Sequence, residues 1–235
     1  MVITTLHLQN ATLLIAGLIN VAMTMMVFSR GIKNKVNLYF GLLTFFNFLW
    51  SISLLLSVIL FFDTQAVLFY RTAYFSAIWI SVFLFYFTLH FPYKIKSLGG
   101  YSSLGVYFLA IILSIFVYTK FHIVSFERSV NFSGWFVDYQ HSFYMLYSLF
   151  LFVVFLLAVY FLIDKIGTVE GFLRNKIKVL LITIIIGLIC GLYFNLILCY
   201  FQNWNYIWFG PIFTAFMNVY VFYLITSSKE KNKNG

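Results

Sequence analysis

The groups able to make or break bonds in this chain are six carboxylates, four histidines and two cysteines. Their placing speaks against each familiar intramembrane chemistry. A membrane aspartyl protease needs two facing carboxylates that share a proton. Here Asp63 and Asp164 stand at the ends of apolar runs, and no Asp or Glu falls inside one. Zinc needs clustered His, Cys or carboxylate ligands, whereas His7, His90, His122 and His141 are isolated and no His-Glu-x-x-His occurs. The Gly-x-Ser-x-Gly elbow of serine hydrolases is missing, and the last apolar run, 206–226, has no lysine to form a Schiff base. Cys190 and Cys199 lie about two and a half helical turns apart, so they face opposite ways and read as small buried apolar residues. Buried ionisable groups of the kind that proton-coupled transport relies on are scarce. The expectation is a chain with no catalytic residues, no metal site and no cofactor.

Arg71 is the exception, a cation about five residues inside an apolar run. A charge at the middle of a membrane helix costs roughly 2.5–3.5 kcal/mol on insertion scales, and less near the interface. Two readings follow. Arg71 snorkels outward, toward Asp63, or it offers a positive group to an anionic ligand in an outward-facing pocket. Trp50, Trp79 and Asn195 are the further residues expected to line that pocket. The default role of Asn20, Asn47, Asn195 and Asn218 is hydrogen bonding between helices. Trp204 and Trp208 mark an interface. Gly187 and Gly191 suit close helix packing, within the bundle or against a second copy in a homodimer. Gly210 and Pro211 are hinge candidates, because proline removes a backbone donor and kinks a helix.

The elements that must carry these residues are seven apolar runs, at about 6–29, 38–62, 66–91, 101–119, 142–163, 177–200 and 206–226. A bilayer core is about 30 Å thick and needs about 20 apolar helical residues to cross it. With 63% apolar and 9% charged residues, a soluble fold would have almost no surface to show to water. Of the fifteen basic residues, only Lys120 and Arg128 fall in one set of alternate gaps. The other set holds Arg30, Lys33, Lys35, Lys94, Lys96, Lys165, Arg174, Lys176 and Lys178, and the segment after the last run holds Lys229, Lys231 and Lys233. Lys and Arg stay on the cytoplasmic side. The expected fold is therefore an all-α, seven-transmembrane bundle with its N-terminus outside and its C-terminus cytoplasmic. It forms one domain, 1–228, followed by a basic cytoplasmic tail, 229–235. Arg30, Lys33, Lys35, Lys94, Lys96, Arg174, Lys176 and Lys178 are expected to anchor it among anionic headgroups, so the net charge of +9 needs no nucleic acid. No basic residue precedes the first run, which reads as an N-out anchor and not as a signal peptide. Gly167 and Gly171 are expected to break the helix in the 164–176 gap. The outer 120–141 gap is β-prone and broken at Ser133-Gly134, which predicts a short hairpin over the outer mouth.

Certain stretches, in order, resemble a known family. Asn37-Leu38-Tyr39-Phe40-Gly41-Leu42-Leu43 and Phe48-Leu49-Trp50-Ser51 lie in the second run. Leu173-Arg174-Asn175-Lys176-Ile177-Lys178-Val179-Leu180-Leu181, Tyr193-Phe194-Asn195-Leu196-Ile197-Leu198 and Trp208-Phe209-Gly210-Pro211-Ile212-Phe213 follow, and Val221-Phe222-Tyr223-Leu224-Ile225 closes the last run. Together they resemble the N-terminal seven-transmembrane region of bacterial sensor histidine kinases, over nearly the whole chain and best from about 131 to 226. That family often has a proline shortly after its Asn-Leu-Ile stretch. Cys199 stands near that place here, so the end of the sixth span is expected to be straighter. The family's kinase parts do not follow Ser227-Ser228-Lys229 in this chain, which implies a sensor-like domain alone, as a fragment or a stand-alone protein.

The resemblance implies a receptor-like input domain of a two-component system in the bacterial plasma membrane. It would bind a small or amphipathic signal in an outer pocket between spans 2, 3, 6 and 7, and relay it through the seventh span to a cytoplasmic signalling partner. Two other readings stay open, a small transporter or transporter accessory, and a structural or assembly protein of the membrane.

Overall fold

The computed structural model describes residues 2–60, 63–92, 100–128, 135–203 and 206–231. Helices α1 (Val2–Ser29), α2 (Lys35–Ile59), α3 (Asp63–His90) and α4 (Gly100–Val117) precede an antiparallel hairpin of β1 (Ile123–Arg128) and β2 (Trp135–Tyr139). Then come α5 (His141–Thr168) and α6 (Gly171–Leu192), a π-helical turn (Tyr193–Ile197), α7 (Leu198–Tyr200) and α8 (Phe209–Lys231). Six helical segments are long and apolar enough to cross a membrane: His7–Ser29, Lys35–Ile59, Asp63–His90, His141–Thr168, Gly171–Tyr200 and Phe209–Thr226. The shorter α4 is apolar over Leu104–Val117. The chain is thus a helical membrane bundle.

The long helices close into a ring. α1 packs on α2, α2 on α3, α3 on α5, α5 on α6, α6 on α8, and α8 returns to α1. α4 packs on α3. This explains why α3 is 78% buried over its apolar window while the other long helices are 22–50% buried. The others keep an apolar stripe facing outward at helical spacing, such as Leu146, Leu149, Phe152, Leu156 and Ile163 on α5 and Ile182, Ile186 and Ile189 on α6. In water such stripes would be a large exposed apolar surface; in lipid they are ordinary. Polar bonds join the helices inside the ring. Asn218 donates to Asn20 at 2.7 Å between α8 and α1, and the Thr24 and Thr44 hydroxyls meet at 2.9 Å between α1 and α2.

One end of the ring carries the hairpin, paired from Ile123↔Tyr139 to Arg128↔Trp135 with an irregularity between Ile123 and Ser125. The expected hairpin is therefore present, with the Ser133-Gly134 turn outside the described residues. The opposite end gathers the basic residues. There, Asn34 caps α2 by accepting the Val36 amide at 2.9 Å, and Asn37 donates to the carbonyls of Arg30 and Gly31. Lys94 and Lys96 lie outside the described residues.

Two expectations about local backbone are corrected, at the 164–176 gap and at Pro211. The wide 164–176 gap shrinks to Val169-Glu170, and Gly167 is helical. The break occurs at Gly171 alone, whose φ of 61° lies in the left-handed region that glycine tolerates. Helix α8 continues to Lys231, so the helix runs into the basic tail. The end of the sixth span widens into the π turn. Finally, Pro211 falls in the first turn of α8, where its missing N–H has no intrahelical partner to lose, so it starts the helix and does not kink it.

Candidate functional site

The ring encloses a cavity of about 80 Å³. Its wall comes from α2 (Trp50, Leu54), α3 (Tyr70, Tyr74, Leu84), α5 (Tyr147, Leu151), α6 with its π turn (Gly187, Gly191, Asn195) and α8 (Thr214, Met217). Span 5 therefore joins the expected spans 2, 3, 6 and 7. The volume is roughly half that of the ~150 Å³ engineered apolar cavity that binds benzene.

Of the four expected pocket residues, the structure brings two together. Trp50 and Asn195 line the cavity, with Gly210 against both: a Cβ placed on Gly210 would fall onto the Asn195 amide and within 2.8 Å of the Trp50 ring. Only a glycine lets α8 come this close. Trp79 lies on a different face of α3, stacked on Phe46 and Phe83 and near Tyr107 of α4. Arg71 points to the hairpin end, where it donates to the carbonyls of Tyr118 at 2.9 Å and Ile123 at 3.3 Å. Its partners are these two carbonyls. Gly187 packs within the bundle, against Met217 of α8, while Gly191 opens onto the cavity.

The π turn arises where two groups pull on the backbone. The Tyr144 hydroxyl donates to the Leu196 carbonyl at 2.7 Å, and the Cys199 thiol donates to the Phe194 carbonyl five residues back at 3.6 Å. π turns inside α-helices occur frequently at functional sites. This one presents Asn195, whose Nδ2 and Oδ1 are both buried with no partner among the described residues. The tyrosine and threonine hydroxyls of the wall are committed. Tyr147 donates to the Tyr74 carbonyl at 3.1 Å and Thr214 to the Pro211 carbonyl at 2.9 Å.

Tyr70 and Tyr74 tie the wall to the hairpin. Their hydroxyls and that of Tyr139 on β2 form a closed triangle of 3.1, 2.7 and 2.8 Å, in which each can donate once. Burial pushes the Tyr139 hydroxyl's pKa upward, so the triangle stays protonated. Beside it, His122 is fully buried among Tyr74, Tyr139, Phe143 and Tyr147, and both ring nitrogens lack a partner among the described residues. Burial, and secondarily the Arg71 charge, push it down to about 3. Gln202 fastens β2 from the other side. It adopts a φ of 60°, uncommon outside glycine, while its amide donates to the Val137 carbonyl at 2.6 Å and accepts the Val137 N–H at 3.2 Å.

At the opposite end, one expected anchor, Lys176, turns inward, and another, Arg30, stays exposed while packing on α8. The Lys176 ammonium is buried, 3.5 Å from the Leu224 carbonyl and over the Phe172 ring. Arg30 lies over the Phe222 ring at 4.6 Å. Both therefore touch the last turns of α8, while Lys33, Lys35, Arg174 and Lys178 are exposed. Lys165, also buried, donates to the carbonyls of Thr88, Leu89 and Phe91 at 2.6, 3.0 and 2.6 Å and so closes the C-terminal end of α3.

Sequence reasoning passed over Tyr70, Tyr74, Tyr139, His122, Gln202 and Lys165. The spacing of Tyr70 and Tyr74, four apart on one helix face, was the available signal, diluted among seventeen tyrosines. Among the described residues no three His, Cys, Asp or Glu side chains come together to hold a metal ion. No protein-family model and no curated protein matches this chain.

Proposed function

We propose that this chain is a membrane-embedded sensory domain, a seven-span bundle with its hairpin end outside the bacterial plasma membrane and its basic end in the cytoplasm. The central cavity receives a small signal from outside or from the membrane, and α8 carries the response to a cytoplasmic partner. The reading is of a binding domain and not of an enzyme. The observation that carries it is the contact of Gly210, in the first turn of α8, with Trp50 and Asn195 in the cavity wall. An occupant that displaces either side chain acts on the α8 backbone directly. Among its contacts at the far end, α8 makes a cation–π contact with Arg30 and a long hydrogen bond from Lys176, both weak enough to be exchanged. A ligand shifts such an equilibrium only through its different affinity for the two arrangements. The resemblance to sensor kinase input regions points the same way, as does the concentration of basic residues at one end.

The test joins the chain after Lys231 to the cytoplasmic part of a sensor kinase that drives a fluorescent reporter. Small apolar extracts of the host cell should change the output several-fold, and Trp50→Ala should abolish the change while insertion persists. A response untouched by Trp50→Ala and Gly210→Leu would remove the cavity from the signalling path. Solute uptake into proteoliposomes, with no reporter response, would favour a transporter.

A further inference from the structure

The Asn195 carboxamide defines what the cavity can take. It is buried in an apolar wall against Gly210, and neither its donor nor its acceptor has a partner among the described residues. Exchanging the amide oxygen and nitrogen would not alter this, because neither has a partner. A buried polar group without a partner forfeits the hydrogen bonds it would make in water. The wall's tyrosine and threonine hydroxyls have given their protons elsewhere, which leaves this amide as the group with both functions to offer. No charged residue is among the described residues that line the cavity, since Arg71 is engaged at the hairpin end.

Resting on the sensory reading above, we propose that the ligand is an uncharged molecule with a compact apolar body and one head group that both donates and accepts a hydrogen bond, a primary amide or an alcohol, recognised by Asn195. An ionised head would be desolvated with no countercharge in the wall. An ether or ketone would satisfy only the Asn195 donor. A plain hydrocarbon would satisfy neither group and leave the amide as unpaired as before. Trp50 and the aliphatic side chains hold the body, and the 80 Å³ volume limits what lies inside the ring to a few heavy atoms.

The full-length chain, in lipid nanodiscs and labelled with 5-fluorotryptophan, reports binding through the ¹⁹F resonance of Trp50, assigned by its loss in Trp50→Phe. Hexanamide, hexan-1-ol, hexanoate and hexane are compared at equal membrane concentrations. Hexanamide and hexanol are expected to shift the Trp50 resonance saturably, at least about tenfold more tightly than hexane or hexanoate. Asn195→Leu should erase this order and let hexane bind as well as the amide, and Asn195→Ser should keep part of the preference. Saturable binding without discrimination, or discrimination that survives Asn195→Leu, overturns the ligand class and leaves the cavity's sensory role standing. No saturable shift with any probe, as for a cavity that holds water only, overturns both.

Discussion

His122 shows how a single side chain can make the hairpin end sensitive to acid. Its pKa is about 3 when folded, against an ordinary value of 6.5, so the unfolded chain binds the proton more readily. The contribution is complete above pH 6.5 and is lost as pH falls toward 3. At pH 5 the loss is about 2 kcal/mol. Thermal unfolding should therefore show a falling midpoint below pH 6.5, with a shallower slope in His122→Phe; equal slopes would contradict this. Lys165 is the counterpart at the other end. Lys165→Met would leave three carbonyls at the end of α3 without this donor, and should lower stability by at least about 2 kcal/mol in denaturant titrations, because even one charged hydrogen bond contributes about 1.5–3 kcal/mol. Neither role was legible beforehand. A lone histidine and a lysine near a helix end carry no signature of what the chain folds over them, and burial here comes from neighbours 17 to 77 residues away.

Among the elements, the π turn and α8 are where expectation and structure part most. Near Cys199, where the chain has no proline, side-chain bonds from Tyr144 and Cys199 reshape the backbone into the π turn. Helix breaking by glycine and proline is readable in a chain; distortion by a tyrosine from another helix is not. Likewise the Gly210-Pro211 pair was visible as special, though its meaning depended on where α8 begins. With Pro211 in the first turn, Pro211→Ala should change stability by less than about 1 kcal/mol and leave the reporter response intact. Gly210→Ala should be far more disruptive, since its methyl meets Asn195 and Trp50. A ¹⁹F spectrum in which Gly210→Ala leaves the Trp50 resonance in place would show that the close approach is not maintained in the membrane.

At the scale of the whole molecule, length and hydropathy made the helical bundle legible, and alternation of charge sorted its two ends. What they left unread is the closing of the ring and the cavity inside it, because the inner and lipid-facing sides of a membrane helix are nearly equally apolar. Arg71 illustrates the consequence. As a cation well inside a run it was the natural choice for a ligand site, yet it bonds to carbonyls at the hairpin end, and no charged side chain is among the described residues that line the cavity. The central claim is that an occupant of this cavity moves the far end of α8. Spin labels placed by Arg174→Cys on α6 and Tyr223→Cys on α8, both exposed positions, in a Cys190→Ala background with the buried Cys199 retained, report that distance by pulsed electron resonance in nanodiscs. Saturating hexanamide is predicted to shift the distance distribution by roughly 2 Å or more, on the scale of helix shifts in switching proteins, and Trp50→Ala to abolish the shift. A Trp50 resonance that saturates with hexanamide while the distance distribution stays unchanged would contradict the account.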